Sequence, residues 1–328
     1  MRICVLGAGA VGGFIGARLA LAGVETSAVA RGATLASLRE YGWRLESAET
    51  PGGAVAAAPV RATGDAAELG VQDVVVLAVK AHAVPSTLDS LAHLVGPETA
   101  VVTALNGVPW WFFDGFGGPC EGRHLDTVDP GGLISAAVPV DRVLGCVVHV
   151  SCSTPEPGLV HHHKGAGLIL GEPGGGGSER VRELAAVLRG AGLDATVSDG
   201  IQRDVWFKLW GNMTMNPISA LTGATGDLIL DDELVMGFAH AAMREAAEIG
   251  GRIGCPIDQR PEERSEVTRK LGVARTSMLQ DAEAGRRLEL DALVGSVREI
   301  GGLLGVPTPS IDALLGLTRL SARVHGLL

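Results

Sequence analysis

The 328-residue sequence is poor in the features that mark several protein classes. Its five cysteines, Cys4, Cys120, Cys146, Cys152 and Cys255, show no CxxC spacing, so neither a thiolate metal cage nor a disulfide framework organises the chain. No uninterrupted apolar run reaches the roughly 18 residues of a membrane span, so no membrane partner is expected. An excess of basic residues is also missing. The net charge is −10, which argues against a general nucleic-acid or anionic-membrane surface while leaving room for a local basic pocket. A secretory signal is imitated by the basic start, the apolar run and the small residues near Ala28-Val29-Ala30. Arg18 interrupts that run, and a signal core has no need of ordered glycines. The odd cysteine count and the missing signal together point to reduced thiols and a cytoplasmic protein. Hydrophobic residues at 46% and charged residues at 20% suit a folded globular chain, and the length suits two domains.

The N-terminus holds the clearest motif. Ile3-Cys4-Val5-Leu6 reads as a strand, Gly7-Ala8-Gly9-Ala10-Val11-Gly12 as a glycine turn, and Phe14, Ile15, Leu19 and Leu21 as a helix closed by Gly23. In GxGxxG, Gly7 makes the turn, Gly9 admits a pyrophosphate to the backbone, and Gly12 lets helix and strand pack closely. The phosphates then meet free N–H groups and the positive end of the helix dipole. A second strand over residues 24–30 ends at Arg31. An acidic residue there would hold a free ribose 2′-hydroxyl; an arginine instead suits a 2′-phosphate, so NADP(H) is the expected cofactor.

Residues 43–63 alternate loosely and suggest a short strand pair or an excursion. The run VQDVVVLAV, residues 71–79, is the most strongly buried strand pattern and ends at Lys80. A helix over 86–94 and a strand over 100–105 follow. The latter ends at Asn106-Gly107, which is first a turn signal. At a strand's carboxyl end, however, the amide could also serve cofactor and substrate. Residues 108–133 carry two of the five tryptophans and three of the six phenylalanines, and read either as a lid or as a subunit contact. Further strands are expected over 142–151 and 158–171. His161 and His163 share a face of the second, with no ligand set to complete a metal site. Ser178 caps a helix running to Gly190, and residues 195–198 make a last strand. Beyond Ser198 helical periodicity dominates. The expected architecture is therefore α/β: a Rossmann-type doubly wound domain over 1–198 and an all-helical domain over 199–328.

Within the helical half, Lys208, Asn212 and Asn216 recur every four residues, each advancing about 40° around a helix, with Trp206 and Trp210 opposite. A lysine and two amides on one stripe could donate a proton to a developing alkoxide and hold substrate oxygens. An interfacial polar stripe is the structural alternative. Pro217 is expected to bend or end this helix. Ser277-x-x-Gln280 has the form of a capping box, so Ser277 reads as a helix start and a seat for a carboxylate. Glu289, twelve residues on, lies about 18 Å away on an unbroken helix, which Gly285 would interrupt. Arg286 and Arg287 offer Glu289 structural ion pairs. The last helices, over 288–304 and 311–327, are apolar enough for a homodimer contact or for internal core.

In combination, the glycine turn at Gly7, Arg31, Lys80, Asn106-Gly107, the block from Lys208 to Pro217 and the block from Ser277 to Glu289 resemble the ketopantoate reductase family along almost the whole chain. The resemblance implies reduction of the 2-keto acid 2-dehydropantoate by NADPH. It implies Lys208 as proton donor, Asn212 and Asn216 as substrate amides and Asn106 as a residue shared by substrate and cofactor. Ser277 is implied as a substrate contact, and Lys80 and Glu289 as cofactor contacts. Two departures fall at the substrate end. Gly226 stands where relatives often carry a further asparagine, and the aromatic segment Trp110 to Phe116 exceeds the family pattern. A reductase of a bulkier 2-keto acid, with Trp110 and Trp111 in its pocket, and a non-catalytic NADP(H)-binding sensor are the competing expectations.

Overall fold

A computed structural model describes residues 1–47, 54–270 and 272–328. The chain divides into two units. The first comprises residues 1–105, 114–116 and 132–201; the second comprises 106–113, 117–131 and 202–328.

The first unit is built on one ten-stranded sheet. The apolar run after Arg2 forms β1 (Ile3–Leu6), buried along its whole length, and the glycine turn leads into α1 (Ala10–Leu21). β2 (Thr26–Val29) and α2 (Gly32–Tyr41) follow. α2 leaves little trace in the sequence because only Ser37 and Leu38 of it are buried, too few to set a helical pattern. The 43–63 stretch resolves into β3 (Trp43–Ser47) and β4 (Val55–Ala58), paired antiparallel, and β5 (Arg61–Thr63); the expected excursion between β3 and β4 lies partly outside the described residues. β6 (Val74–Leu77) is fully buried, as its β-branched run requires. A 3-10 turn over Ala81–Thr87 then runs into α3 (Leu88–Leu94), and β7 (Ala100–Thr103) comes next. The unit closes with α4 (Leu133–Ala137), β8 (Val143–Glu156), β9 (Leu159–Gly171), α5 (Glu179–Gly190) and β10 (Asp194–Val197). Ser178 caps α5 by accepting from the Val181 N–H.

Strands β5-β2-β1-β6-β7-β8 are parallel neighbours in that order, winding outward in two directions from β1. This doubly wound order places the turn after β1 at the point where the winding reverses. Beyond β8 the sheet changes character. β9 runs antiparallel to β8, and its free edge is shared by β3 and β10. Alternation along β9 sends His162 inward, where it is 1% exposed, stacks on Phe14 and faces Ser47 Oγ at 3.1 Å. His161 and His163 share the other face with ring centroids 4.6 Å apart. Among the described residues no group of three or more His, Cys, Asp and Glu side chains could hold a metal ion, and none of the helices is long and apolar enough to cross a membrane.

The second unit is helical: α6 (Ile201–Thr222), α7 (Gly226–Asp231), α8 (Glu233–Ile253), α9 (Pro261–Arg269), α10 (Ser277–Glu283), α11 (Ser296–Leu304) and α12 (Pro309–Val324). Its core takes Trp206 and Trp210 from α6, with Trp210 Nε1 donating to Met243 O of α8 at 2.7 Å. The aromatic segment joins this core. Trp110, Trp111, Phe112 and Phe113 are all buried, and the Phe112 ring lies 6.0 Å from Trp206. These four rings act as core packing, each contributing roughly 1.5–3 kcal/mol of apolar burial. Pro217 neither ends nor stops α6, which continues five residues beyond it to Thr222. Buried Met213, Ile218 and Ser219 hold the helix on both sides of the proline, offsetting its lost N–H. Thr276, not Ser277, caps α10 by accepting from the Leu279 N–H.

Candidate active site

Glycines set the geometry after β1. Gly7 has φ +106°, and a Cβ there would lie 2.7 Å from Val79 Cγ1 and 2.9 Å from the Ala78 carbonyl. Gly12 is tighter still, with an added Cβ 2.1 Å from Gly7 O. Gly9 differs: nothing lies within 4 Å of a Cβ built on it. Gly7 and Gly12 are thus fixed by the protein itself, whereas the space over Gly9 is open to a ligand. Gly9 is also the N-cap of α1 and brings no side-chain cap, so the first turn through Ala10, Val11 and Gly12 presents backbone N–H groups to an anion. Ala8 is buried in the turn. The cradle fits a dinucleotide pyrophosphate.

Two cations border this turn, one on each neighbouring strand. Arg31 follows β2, caps α2 and is exposed, with Nη2 3.5 Å from Ser86 O. Lys80 follows β6 and opens the 3-10 turn that carries Ser86. Because β2 and β6 flank β1, both side chains belong to the carboxyl edge of the sheet.

The second constellation lies wholly within the helical unit. Lys208 Nζ donates to Asn106 Oδ1 at 2.8 Å, across 102 residues of sequence. Asn212 and Asn216 continue the stripe along α6, half-buried and 5% exposed respectively, and neither side chain hydrogen-bonds another described residue. Amides placed at such depth and left unspent are positioned for a polar ligand.

Asn106 is held in place by a device that its sequence does not announce. Between Glu289 and α11 the chain makes a π turn over Asp291–Gly295, in which the Ser296 N–H bonds Asp291 O five residues back. Ala292 O accepts instead from the Val108 N–H at 2.9 Å and from Ser296 Oγ at 2.8 Å. Gly107 sits against that carbonyl with φ +83°, and a Cβ there would be 2.3 Å from Ala292 O. The Asn-Gly dipeptide hinted at the turn; a π turn has no comparable sequence signal.

The remaining expected residues are placed as follows. Ser277 is the first residue of α10 and exposed, its hydroxyl not used as the cap. Gly285, with φ +63°, follows the end of α10, so Glu289 lies beyond the helix in an extended segment, 6% exposed. Arg286 pairs with Asp281 at 3.0 Å. Gly226 opens α7 and donates to Ala274 O at 2.8 Å; a Cβ on it would make ordinary contacts with Ala274 and Met215.

Against known proteins, residues 3–109 match the family model "Ketopantoate reductase PanE/ApbA" and residues 200–322 match "Ketopantoate reductase PanE/ApbA C terminal". The chain is 47% identical to a 2-dehydropantoate 2-reductase of Mesorhizobium japonicum, over 99% of each chain. The fold superposes on the crystal structure of a candidate ketopantoate reductase from Ralstonia solanacearum MolK2 with a TM-score of 0.95 and 59% identity, covering 100% of this chain and 99% of that one. It also superposes on 2-dehydropantoate 2-reductase from Methylococcus capsulatus with a TM-score of 0.83 and 28% identity, covering 99% and 98%.

Proposed function

The chain belongs to the ketopantoate reductase family, and on that footing we propose that it reduces 2-dehydropantoate to pantoate with NADPH, a step toward pantothenate and coenzyme A. The observation that carries this reading is the 2.8 Å bond from Lys208 Nζ to Asn106 Oδ1 at the head of a stripe of two unspent amides. When bound, the nicotinamide supplies the hydride that attacks C2 of the keto acid. Lys208 gives a proton to the C2 oxygen as negative charge develops there. Asn106 Oδ1 takes one of the three ammonium N–H bonds and so fixes the direction of the other two. Asn212, Asn216 and Ser277 hold substrate oxygens.

On the cofactor side, the backbone from Gly7 to Gly12 holds the pyrophosphate, and Arg31 holds the 2′-phosphate that distinguishes NADPH from NADH. Lys80, Asn106 and Glu289 carry over from the family motifs as further cofactor contacts. The test is NADPH oxidation, followed by the loss of its near-ultraviolet absorbance, with ketopantoate, pyruvate, 2-ketoisovalerate and bulkier 2-keto acids. The reading expects the highest kcat/KM with ketopantoate.

A second reading is favoured by Gly226. Its surroundings, Ala274 and Met215, would accept a Cβ, so the missing amide is not imposed by crowding. A 2-keto acid with no polar group at that end would need no partner there. Turnover confined to such acids would support that reading. Tight NADPH binding without any turnover would support the sensor. Trp110 and Trp111 take no part in either outcome, being core residues.

A further inference from the structure

Arg264, on α9, is a half-buried guanidinium with no carboxylate partner among the described residues. The other arginines flanking it are all paired: Arg260 with Glu263, Arg269 with Asp231, and Arg275 with Glu283. Arg264 Nε is fully buried and makes no hydrogen bond. Burial holds this guanidinium below its ordinary value. The buried Nε has given up water without gaining a protein acceptor, which leaves the arginine head able to receive an anion.

Its position is set by α6. The guanidinium lies over the Phe207 ring at 4.9 Å and flat against Gly211, where a Cβ would come within 3.3 Å of Nε and 3.5 Å of Nη2. The arginine head therefore occupies the place that a side chain at position 211 would take. Residues three apart are neighbours on a helix surface, so this place borders Lys208, and Asn212 is the next residue along the chain. The border continues in the same direction. The connection from α9 to α10 reaches Gly226 through Ala274 O and then delivers Ser277. One edge of the Lys208–Asn212–Asn216 stripe is thus lined by Arg264 at one end and by the approach to Ser277 at the other.

We propose that Arg264 receives the carboxylate of the 2-keto acid, an inference that rests on the 2-keto acid reading above. The amides of the stripe then serve the neutral oxygens of the substrate. Lys208 is spared a direct ion pair with the carboxylate and keeps its proton for the C2 oxygen. Phe207 and Gly211 acquire a purpose as the floor against which the guanidinium rests.

The test compares wild type with Arg264→Gln and Arg264→Lys. For Arg264→Gln, KM for the 2-keto acid should rise about 10- to 100-fold, the range of a charge-assisted hydrogen bond. kcat and the NADPH Kd should stay within about threefold, the signature of an interaction made equally in ground and transition states. Arg264→Lys should give an intermediate KM, because the charge returns without the planar fork. A KM unchanged in Arg264→Gln, or kcat and NADPH binding falling together with KM, would overturn the proposal. Calorimetric titration of pantoate separates this outcome from failure of the reductase reading. If wild type shows no turnover but binds pantoate and Arg264→Gln does not, the carboxylate site stands without the reaction. Equal binding by both proteins, or binding by neither, overturns the site.

Discussion

Replacing Gly107 by alanine probes how closely Lys208 must be held against Asn106 for the proposed proton transfer. The added Cβ would lie 2.3 Å from Ala292 O, whereas ordinary contact begins at 3.4 Å, so the 106–108 segment must retreat by about 1.1 Å. Gly107 also has φ +83°, which costs a residue with a Cβ about 1–2 kcal/mol. Against a typical stability of about 5–15 kcal/mol, the variant still folds. The retreat is transmitted along two bonds. It strains the Val108 N–H to Ala292 O contact and lengthens the Lys208 Nζ to Asn106 Oδ1 bond from 2.8 Å. A misplacement near 1 Å in a reacting group can cost about a hundredfold in rate. The expected result is a fall of kcat by about a hundredfold with a much smaller loss of NADPH affinity, since Asn106 is one cofactor contact among several. Steady-state kinetics, cofactor titration and thermal unfolding measure the three quantities. Introduced into Asn106→Ala, the same substitution should lower kcat little further, because its effect passes through the missing amide. A Gly107→Ala enzyme that loses thermal stability but keeps kcat within threefold would refute the positioning argument.

Two glycines of the N-terminal turn, Gly9 and Gly12, should separate folding from binding. Gly9→Ala is expected to unfold at the wild-type temperature yet bind NADPH more than about tenfold less tightly. Gly12→Ala, with its Cβ 2.1 Å from Gly7 O, should lose both thermal stability and binding. Lys208→Ala should lower kcat by about 10²–10⁴-fold, the usual range for a general acid, with a much smaller change in NADPH Kd; equal losses would remove its role as donor. Arg31→Ala should weaken NADPH far more than NADH, and a parallel loss of both would exclude the 2′-phosphate role. Stability should also fall with acid. Burial holds His240 and His163 below their ordinary value of 6.5, with the neighbouring His161 contributing at His163. Below pH 6.5 the unfolded chain takes up protons that the folded chain resists, so stability is full above that pH and is lost as pH falls toward the folded values. Unfolding temperatures measured through this window should decline less steeply in a His163→Gln, His240→Gln double variant.

The elements most legible in the sequence are those whose pattern is local. A β-branched run, an ordered set of glycines and a stripe of polar residues four apart each state their own geometry, and β1, β6 and the polar side of α6 follow from them. What escaped depends on distant partners. The aromatic segment reads as a lid or a subunit contact because the contact of Phe112 with Trp206 exists only once the chain has folded. Pro217 reads as a bend or an end because local propensity carries no record of the buried residues that carry α6 past it to Thr222. Ser277 fits the Ser-x-x-Gln spacing of a capping box, yet the hydroxyl that accepts from the Leu279 N–H is that of Thr276, one residue earlier. The π turn at Asp291–Gly295 and the unpaired Arg264 have no local signature; both are visible only as bonds that go elsewhere or are not made.

The path of the chain carries a consequence for how this protein can be cut or recombined. Between its ends the backbone passes from one unit to the other after residues 105, 113, 116, 131 and 201. The helical unit is therefore not a module encoded in one piece. A fragment beginning at Gln202 would lack Phe112 beneath Trp206 and Asn106 beside Lys208. A graft that exchanges the C-terminal half between relatives would join a helix bundle to an aromatic insert and an amide selected for a different one. During synthesis the ribosome releases the Asn106–Phe113 strap before any helix exists to receive it. Lys208 thus waits for a partner made about a hundred residues earlier, and inheritance must keep the two together.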